Sequence, residues 1–577
     1  MQRTLRMNLD SLLHTLYGTQ SSQTLHLMSS QLLQTSSSLS ANNHSSKRWD
    51  ASTCVLITYA DSIQDGDAPG LKTLRSLLNT HLPLISSVVH VLPFLKATSD
   101  GGFAVASHDQ LEERHGTWGD LDALAEGRTL MADLVLNHIS ASHPWVQDFL
   151  NDAEPGRSCI LTGSPDPCWD DVVRPRSSAL FSTLHSSNGA HQVWTTFGPD
   201  QVDVDWRSPD VLRGFTELMA RFCQHGVSWI RLDAVGFIWK EPFTNCIHRP
   251  EAHSVVEVLR LLLEEQVPAG VVVSETNVPE QENLSYLRSG REAHLAYNFP
   301  LPPLLLEAAI SGKADLLNQW LNRWPNLPEQ TGLLNFTASH DGIGLRPLEG
   351  LMDQSRLIQL LIRCEQRGGL ISHRRLHDGS DAPYEINISW WSAMADGGID
   401  PGHLQIERFL VTQFLVLALP GIPAFYLPAL LATPNDLARF RRTGHRRDLN
   451  RPTFRYSTLD NRLKDPHDPA SIVLQRLQDA MTIRTTLPAF EPDAPMQVLS
   501  ADRFDAVILQ RGQDDQRVWA IHNLTPSRLT INPAALDLGA SPSGWRDHLH
   551  PERTLLSSAP LELDPFDVCW LQQECGR

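Results

Sequence analysis

Two charged residues interrupt an otherwise apolar stretch near the middle of the chain. The segment GVSWIRLDAVG, residues 226–236, reads as a buried strand, yet it carries Arg231 and Asp233. An unpaired charge costs several kcal/mol to bury, so such residues are kept by pairing or by chemistry. A structural ion pair is the simpler interpretation when this segment is considered alone.

Three other apolar stretches also end in polar side chains that could do chemistry. These side chains are Asn137 and His138 after MADLVL, Glu275 after GVVVS, and His340 and Asp341 after GLLNFTAS. Glu275 alone could equally cap a helix. The joint occurrence of three carboxylates and two histidines at such ends is hard to generate by chance, and it favours a shared catalytic site.

Two carboxylates facing one opening are what the cleavage of a glycosidic bond requires. One carboxyl protonates the leaving oxygen and the other meets the cationic sugar carbon. In a retaining mechanism the second carboxylate forms a covalent glycosyl-enzyme, and the two groups lie about 5 to 5.5 Å apart. An arginine beside the nucleophile, as Arg231 is beside Asp233, is expected to lower its pKa, while a more desolvated carboxyl keeps its proton.

The elements that must position these residues alternate along the chain. From about residue 50 onwards, short apolar runs alternate with longer amphipathic ones, which is typical of a parallel sheet built from βα units. Strands are predicted at residues 53–60, 87–94, 129–136, 227–235, 270–275, 293–299, 332–340 and 421–427. Eight such units predict an α/β fold of the TIM type, a (β/α)8 barrel, whose strand ends meet at one mouth.

Breaks in this alternation divide the chain into predicted domains. An N-terminal helical extension and linker covers residues 1–50, and the barrel comprises 51–137 and 206–490. Residues 138–205, rich in Pro, Ser and Asp, are expected to form an insertion domain, domain B, after the third strand. From 491 to 577 the pattern changes to short alternating strands, which predicts a C-terminal all-β domain.

The composition narrows the class of protein. The 577 residues include 48 Lys plus Arg against 66 Asp plus Glu, and this net charge of −18 argues against a nucleic-acid or anionic-membrane binder. Neither a run of 18 apolar residues nor a signal-like start occurs, so we expect a cytoplasmic protein. The eight cysteines lack metal spacing, and Cys159 and Cys168 are expected to be reduced thiols rather than a disulfide.

Four motifs resemble the conserved regions of a known family. MADLVLNH, IRLDAVG, SETNVP and NFTASHDGIG are similar to those of the alpha-amylase superfamily, and the resemblance covers roughly residues 50–577. Within it, RLDAVGFIWKE, ETNVP and SHDGIGLRPLEG resemble the sucrose phosphorylase subfamily. Members of that subfamily transfer an α-glucosyl group reversibly between a glycoside and inorganic phosphate, without a metal or an organic cofactor.

The resemblance also implies roles for single residues. Asp233 would be the nucleophile, Glu275 the general acid/base and Asp341 the transition-state stabiliser. The residues expected to bind substrate are Asp100, His138, Phe197, Gln201, Arg231, Phe237, His340, Tyr384, Glu385 and Arg447. Among these, Arg447 in RTGHRRDLNR matches the arginine partner of the family's glucose-binding aspartate, here Asp100 in SDGGF.

Two departures from the sucrose phosphorylase pattern bear on the substrate. Phe237 stands where those enzymes often have Tyr, and Tyr384 is followed by Glu385 where they typically have Gln. The Glu form is similar to relatives that act on glucosylglycerate or glucosylglycerol. We therefore expect glucosylglycerate to be preferred over glucosylglycerol or sucrose.

An anionic protein must concentrate cations where an anionic substrate binds. The segment VVRPRS places Arg174 and Arg176 in the predicted insertion domain, and either could hold phosphate or an acceptor carboxylate. A solvated or structural arginine is an equal alternative for each. The basic run RFRRTGHRR, residues 439–447, has few interleaved aromatic residues, so apart from Arg447 it is expected to be solvated.

The leading hypothesis is a retaining phosphorylase that releases α-glucose 1-phosphate. Its partners would be a small glucoside and inorganic phosphate, with no nucleic acid or membrane, and it would be a monomer or homodimer. The alternatives are sucrose phosphorylase proper, or an α-glucosidase or transglucosylase that uses water or a sugar as acceptor. A sugar-binding protein without activity is disfavoured, since such relatives usually lose a carboxylate and all three are present.

Overall fold

The computed structural model describes residues 2–18, 20, 22–37, 47–187, 189–376, 380–396, 404–500, 503–532, 544–555 and 559–573. Eight parallel strands close a barrel in which every strand pairs with its neighbours in the chain, and the last pairs with the first. They are β1 (Val55–Thr58), β2 (Val88–Val91), β3 (Thr129–Val135), β4 (Val227–Asp233), β5 (Val271–Ser274), β6 (Leu295–Tyr297), β7 (Gly332–Phe336) and β8 (Ile422–Tyr426). Each lies within the segment predicted for it, which confirms the (β/α)8 barrel.

The register of the central strands explains where the carboxylates stand. Leu232 in β4 pairs with Ser274 in β5. Glu275 comes directly after Ser274, and its N–H donates to the carbonyl of Leu232 over 3.2 Å, so Glu275 stands beside Asp233. Every residue of β4 is buried, as expected for a parallel strand that is covered on both faces.

Helices cover the outside of the barrel with their apolar faces inward. In the helix Pro209–Gln224, Val211, Phe215 and Phe222 are buried at the spacing of one helical face. Gly226, at φ +81°, then turns the chain into β4, a conformation that glycine adopts without strain. The other helices between β1 and the C-terminal strands are Gly70–His81, Trp118–Ala125, Pro144–Leu150, Gly156–Cys159, Pro250–Gln266, Glu280–Asn283, Ser285–Arg288, Leu301–Ser311, Asp315–Leu321, Gln354–Gln366, Trp390–Ala393, Leu404–Ala418, Leu427–Leu430, Leu437–Thr443, Tyr456–Lys464 and Pro469–Thr485.

The N-terminal extension forms two helices, Gln2–Tyr17 and Ser22–Ser37, which pack against helices of the barrel. The second helix forms in the Ser- and Gln-rich stretch because Leu25 and Leu32, seven residues apart, are buried against the barrel. The remainder of the predicted linker, residues 38–46, lies outside the described residues.

Three small antiparallel sheets lie in the two insertions at the mouth of the barrel. Between β3 and β4, the paired strands are His138–Ser140 with Gln201–Asp203, and Phe181–Ser186 with Gly189–Trp194. Between β7 and β8, a three-stranded sheet has the order Ile343–Gly344, Asp381–Asn387, Leu370–Arg375. Both insertions come after strands whose carboxyl ends form the mouth, so their side chains can reach it.

The C-terminal segment is built from antiparallel strands. A six-stranded sheet has the order Met496–Val498, Ala506–Arg511, Val518–Asn523, Val568–Gln573, Trp545–Asp547, Thr554–Leu555, and Leu529–Ile531 pairs separately with Leu561–Leu563. The runs MQVLSA, AVILQRG, RVWAIHNL and FDVCWLQQ, whose alternation predicts strands, each contain one of these strands. The residue boundaries given above for the domains stay predictions.

Membrane-spanning helices and metal clusters are absent from the part of the chain that the structure describes. Among the described helices, none has the length and apolar character needed to cross a bilayer. Within the described ranges, no group of three or more His, Cys, Asp or Glu side chains is arranged to hold a metal ion. Cys159 and Cys168 are free thiols, which confirms the expectation for them.

Candidate active site

A cavity of about 920 Å³ opens at the mouth of the barrel. Its lining combines loops after β1 and β2, the insertion after β3, the sheet after β7 and the loop after β8. Five of the predicted substrate-binding residues line it, namely Asp100, Phe197, Gln201, Glu385 and Arg447. Asp233 and Glu275 are not among the lining residues, and each has 11% of its side chain exposed.

Three carboxylates contact the buried guanidinium of Arg231. Its Nη1 contacts Asp133 of β3 and lies 2.8 Å from Asp233 Oδ1. Its Nη2 lies 3.7 Å from Glu275 Oε2. The ion pair predicted between Arg231 and Asp233 is confirmed, and the two candidate catalytic carboxylates face the same cation.

The backbone that follows Asp233 forms a hydrogen bond with Glu275. Ala234 has φ +49°, a left-handed conformation that is strained for a residue with a side chain. This conformation turns the chain out of β4 into a short helical turn, Val235–Phe237. The N–H of Ala234 donates to Glu275 Oε2 over 3.0 Å, so one oxygen of Glu275 is held and Oε1 is left for a substrate.

The electrostatics of Asp233 correct one prediction. We expected Arg231 to hold the pKa of Asp233 low, but burial raises that pKa well above its usual value and Arg231 only partly opposes it. Burial also raises the pKa of Glu275, again against Arg231. Desolvation outweighs the ion pair because both groups lie deep in the barrel, so the coupled pair retains a proton to a higher pH than either carboxyl would in water.

Asp341 has the opposite electrostatic environment. Its carboxylate contacts Arg447 Nη1, and Oδ1 lies 3.6 Å from His340 Nε2 and 3.7 Å from Arg451 Nη2. Burial opposes ionisation, but the arginines around it, Arg447 foremost and then Arg451 and Arg231, hold the pKa of Asp341 well below its usual range. Asp341 is therefore a fixed negative charge next to the Asp233 and Glu275 pair.

The ion-pair partners of Arg447 differ from the one predicted. Arg451 rather than Arg447 lies within ion-pair distance of Asp100, with its Nη1 3.8 Å from Asp100 Oδ1, although the charge of Arg447 also lowers the pKa of Asp100 against burial. Arg447 instead binds Asp341 and Glu385, donating to Glu385 from Nη2 over 2.8 Å and from Nε over 3.3 Å. Because Arg447 and Arg451 lie four residues apart in one turn, the sequence could not tell which of them reaches Asp100.

Glu385 occupies its position because of the sheet after β7. It pairs with Gly344 in that sheet, and its Oε1 accepts from the N–H of Gly342 over 3.1 Å. With only 1% of the residue exposed, Glu385 lines the cavity but is fully engaged by Arg447 and the backbone. A neutral Gln at this position would leave Asp341 as the one carboxylate that neutralises Arg447 among the described residues.

The remaining predicted residues form a connected group on the insertion side. His138 Nε2 lies 3.0 Å from Gln201 Nε2 and 3.1 Å from the Phe103 carbonyl, and Gln201 donates to Asp100 Oδ2 over 3.2 Å. The Phe197 ring lies 5.2 Å from His138. These contacts link the insertion to the end of β3.

Two aromatic pairs lie beside residues that line the cavity. Phe237, where sucrose phosphorylases often have Tyr, meets the cavity-lining ring of Phe197 edge to face at 5.6 Å. His340 stacks on Phe103 with ring centroids 5.0 Å apart, and burial lowers the pKa of His340 to about 3, so it is neutral.

The two arginines of VVRPRS differ in their contacts. Arg174 donates to the carbonyl of Ser178, and it does not line the cavity. Arg176 lines the cavity, with its guanidinium carbon 5.6 Å from the centroid of Tyr384 and 6.0 Å from that of Phe197. Within the described residues Arg176 has no ion pair, so of these two arginines only Arg176 offers a cation to the cavity.

Sequence reasoning missed several residues that hold the site together. Asp133 binds both Arg231 and His90, whose Nε2 lies 2.7 Å from Asp133 Oδ2, and although burial opposes it, the charge of Arg231 and the hydrogen bond with His90 lower the pKa of Asp133 to about 2. Lys240 is buried, with its Nζ 2.7 Å from Asp203. Asp133 lies two residues before the end of its strand, as Arg231 does, and this matching position was the available signal.

Comparison with known proteins gives the family. Residues 58–346 match the family described as alpha amylase, catalytic domain. The chain is 38% identical over 479 residues to the glucosylglycerate phosphorylase of Allomeiothermus silvanus, which covers 83% of this chain and 86% of the relative. It is 30% identical over 464 residues to the sucrose phosphorylase of Agrobacterium vitis, covering 75% of this chain and 88% of the relative.

A solved structure shares the architecture. The sucrose 6F-phosphate phosphorylase from Thermoanaerobacter thermosaccharolyticum superposes with a TM-score of 0.71 at 27% identity, over 84% of this chain and 96% of that one. The sequence and the fold agree with the motifs and with the arrangement of carboxylates around Arg231. The chain therefore belongs to the alpha-amylase superfamily and, within it, to the subfamily of the sucrose and glucosylglycerate phosphorylases.

Proposed function

We propose that this protein is a retaining glycoside phosphorylase that transfers an α-glucosyl group from glucosylglycerate to inorganic phosphate. The observation that carries the proposal is the single guanidinium of Arg231, which holds Asp233 at 2.8 Å and Glu275 at 3.7 Å. Because both carboxyls contact the same cation, one of them can attack the anomeric carbon while the other protonates the leaving oxygen. The similarity to a glucosylglycerate phosphorylase supports the choice of reaction.

In the first step, Asp233 attacks the anomeric carbon while Glu275 protonates the leaving oxygen. This step needs one ionised and one protonated carboxyl, which is the state that a coupled pair with raised pKa values adopts when it holds one proton. Burial raises the pKa of Asp233 further than that of Glu275, so burial alone would place the shared proton on Asp233. Arg231, at 2.8 Å from Asp233 and 3.7 Å from Glu275, opposes this, and a bound glycoside whose leaving oxygen accepts from Glu275 Oε1 would fix the proton on Glu275.

In the second step, phosphate attacks the glucosyl-Asp233 ester from the side that the aglycone has left. Glu275, now ionised, accepts a proton from the phosphate, and α-glucose 1-phosphate leaves with retained configuration. Asp341 is ionised throughout, because Arg447 and its neighbours stabilise its charge. Its negative charge stabilises the cationic character of the anomeric carbon in both transition states.

The charges on the acceptor side support an anionic aglycone. Glu385 and Asp341 neutralise Arg447, so this arginine offers little free charge to a ligand. Arg176 lies in the same cavity, held between two aromatic rings and without a carboxylate partner among the described residues. We assign Arg176 as the contact for phosphate in one half-reaction and for the glycerate carboxylate in the other.

The test is a panel of glucosides assayed with and without phosphate. Sucrose, sucrose 6-phosphate, glucosylglycerol and glucosylglycerate are each incubated with the enzyme, and glucose 1-phosphate and free glucose are measured. We expect phosphate-dependent release of glucose 1-phosphate, fastest from glucosylglycerate. Free glucose formed at the same rate with and without phosphate would contradict a phosphorylase, and a dominant rate on sucrose would contradict the proposed substrate.

A further inference from the structure

The arginines of the active-site cavity fall into two groups according to their ion pairs. Six arginines line the cavity. Four are neutralised by carboxylates: Arg114 by Asp61 at 3.2 Å, Arg439 by Asp448 at 3.5 Å, Arg447 by Asp341 and Glu385, and Arg451 by Asp100 and Asp341. Arg176 and Arg446 have no ion pair within the ranges that the structure describes. The cavity therefore contains two guanidinium groups that have no carboxylate of the described residues within ion-pair distance, although Arg176 lies close enough to Asp100 to help Arg447 and Arg451 lower the pKa of that carboxyl against burial.

Arg446 differs from Arg176 in its position. It opens the short helical turn Arg446–Asn450, directly before Arg447, and it is exposed at the mouth. Its guanidinium has no hydrogen bond to other described residues, so all of its donors remain available. Arg176, by contrast, is half-buried between aromatic rings.

The net charge of the protein increases the importance of an unpaired arginine for anion binding. The protein carries a net charge of −18, which repels anions at long range. At physiological ionic strength the repulsion is screened beyond roughly 8 Å, so the charges at the mouth decide whether an anion enters. An unpaired guanidinium at the rim attracts oxyanions and can hold two of their oxygens at once.

We propose that Arg446 is an outer binding contact for small oxyanions, which concentrates them at the mouth of the cavity that contains Arg176. The ligand is a phosphate or carboxylate, supplied either by inorganic phosphate or by the anionic aglycone of the glucoside. This inference rests on the proposed function and extends it from the inner contact, Arg176, to the route by which anionic reactants arrive.

The chain offers a matched control for the experiment. Arg441 is also exposed and without an ion pair among the described residues, and it lies on the adjoining helix Leu437–Thr443, but it does not line the cavity. The variants R446Q and R441Q each remove one positive charge from the same region. Only R446Q removes it from the cavity.

The measurements are KM for phosphate, KM for glucosylglycerate and KM for a neutral glucoside that is turned over, such as glucosylglycerol. We expect R446Q to raise KM for the anions about two- to fivefold, the range of an exposed charge pair. The value for the neutral glucoside should be unchanged, and R441Q should resemble the wild type. The effect of R446Q should shrink in 0.5 M NaCl, because salt screens an exposed charge.

Each outcome assigns or rejects the contact. A rise in KM for phosphate alone identifies phosphate as the ligand, and a rise for glucosylglycerate alone identifies the carboxylate. Unchanged values for both anions, or an equal rise in R441Q, would overturn the proposal.

A second readout is independent of turnover. Phosphate is expected to raise the Tm of the wild type and of R441Q more than that of R446Q, since a ligand stabilises the folded state according to its affinity. If the wild type released no glucose 1-phosphate, the proposed function would fail, yet the three Tm shifts with phosphate would still decide whether Arg446 binds an oxyanion.

Discussion

The proton shared by Asp233 and Glu275 connects their environment to the reaction. Burial raises the pKa of both groups, and Arg231 opposes the shift in each. A carboxyl with a raised pKa keeps its proton until the pH rises through that value. The acid form needed for departure of the aglycone therefore persists to a higher pH than an ordinary Glu carboxyl would allow, and it disappears as the pH rises through the raised pKa.

This argument predicts a difference between two donors. With a glycoside, kcat/KM for the first step should fall as pH rises, because Glu275 loses the proton that the leaving oxygen requires. With α-glucosyl fluoride the leaving group needs no proton, so the alkaline fall should be absent. The measurement is the pH profile of both donors at saturating phosphate.

Two variants separate the roles of the carboxyls in the same assay. Glu275→Gln should lower kcat/KM for the glycoside by about 10² to 10⁴-fold, the usual contribution of a general acid, and largely retain kcat/KM for the fluoride, because kcat/KM for the donor reports the first step alone. Asp233→Asn should lose activity on both donors. Equal loss of kcat/KM for the fluoride in the two variants would contradict the assignment of Glu275 as the acid.

Arg176 and Arg174 allow a second test at the level of single residues. Arg176→Gln removes a cation that lines the cavity, and we expect KM for phosphate to rise about tenfold or more, since a charge-assisted hydrogen bond contributes about 1.5 to 3 kcal/mol. Arg174→Gln is the control, because Arg174 donates to the Ser178 carbonyl and does not line the cavity. Unchanged KM values in both variants would remove Arg176 from the phosphate site.

At the level of elements, Lys240 joins the insertion to the barrel. Its Nζ lies 2.7 Å from Asp203 Oδ2 and 2.5 Å from Asn137 Oδ1. Asp203 lies on the strand that also carries Gln201, two residues earlier. Lys240 therefore fixes the strand that brings Gln201 to His138 and Asp100, and we regard it as a positioning residue.

Removing this lysine should have two separable consequences. Lys240→Met leaves the buried carboxylate of Asp203 unpaired, so we expect the free energy of unfolding to fall by about 3 to 5 kcal/mol. In the double variant Lys240→Met/Asp203→Asn, the free energy of unfolding should fall by less than the sum of the decreases in the two single variants, because the double variant leaves no buried charge at this place. Urea unfolding measures both effects.

Kinetics distinguish positioning by Lys240 from stability alone. Under conditions where Lys240→Met is fully folded, the misplaced Gln201 should lower kcat while KM for phosphate stays nearly constant. Wild-type kcat in the folded variant would contradict the positioning role.

In the molecule as a whole, the buried Arg511 connects the C-terminal sheet to the barrel, and the buried Arg484 of the helix Pro469–Thr485 contacts the same barrel helix. Arg511 donates to the carbonyls of Ala418 at 2.5 Å, Glu491 at 3.0 Å and Ala494 at 3.2 Å. Arg484 donates to the carbonyl of Leu417 at 3.1 Å. Leu417 and Ala418 end the helix Leu404–Ala418, so both cations lie at the negative end of its dipole.

Arg511 should therefore matter for stability and not for catalysis. Arg511→Met leaves three carbonyls without this donor, and we expect a loss of about 3 kcal/mol in the free energy of unfolding. Arg528→Gln is the control, since its ion pair with Asp564 is exposed and contributes about 0 to 1 kcal/mol. The measurements are thermal unfolding and kcat at 25 °C, and a lowered kcat in folded Arg511→Met would contradict this separation.

The positions of the eight strands and of the three carboxylates were determined by the sequence alone. Strands that are buried on both faces must be apolar along their length, so runs such as that before Asp233 are visible without any tertiary information. The closure of such strands into a barrel brings the residues at their carboxyl ends to one mouth. Local pattern and one rule of topology were sufficient for Asp233, Glu275 and Asp341.

Only the tertiary structure decided how these residues are paired and charged. Arg447 rather than Arg451 reaches Asp341 and Glu385 most closely, burial outweighs Arg231 at Asp233, and Arg176 rather than Arg174 lines the cavity. Each outcome depends on distances of a few ångströms between segments far apart in the chain. Coulomb energies and desolvation vary steeply over such distances, so neither the spacing nor the residue type could fix them.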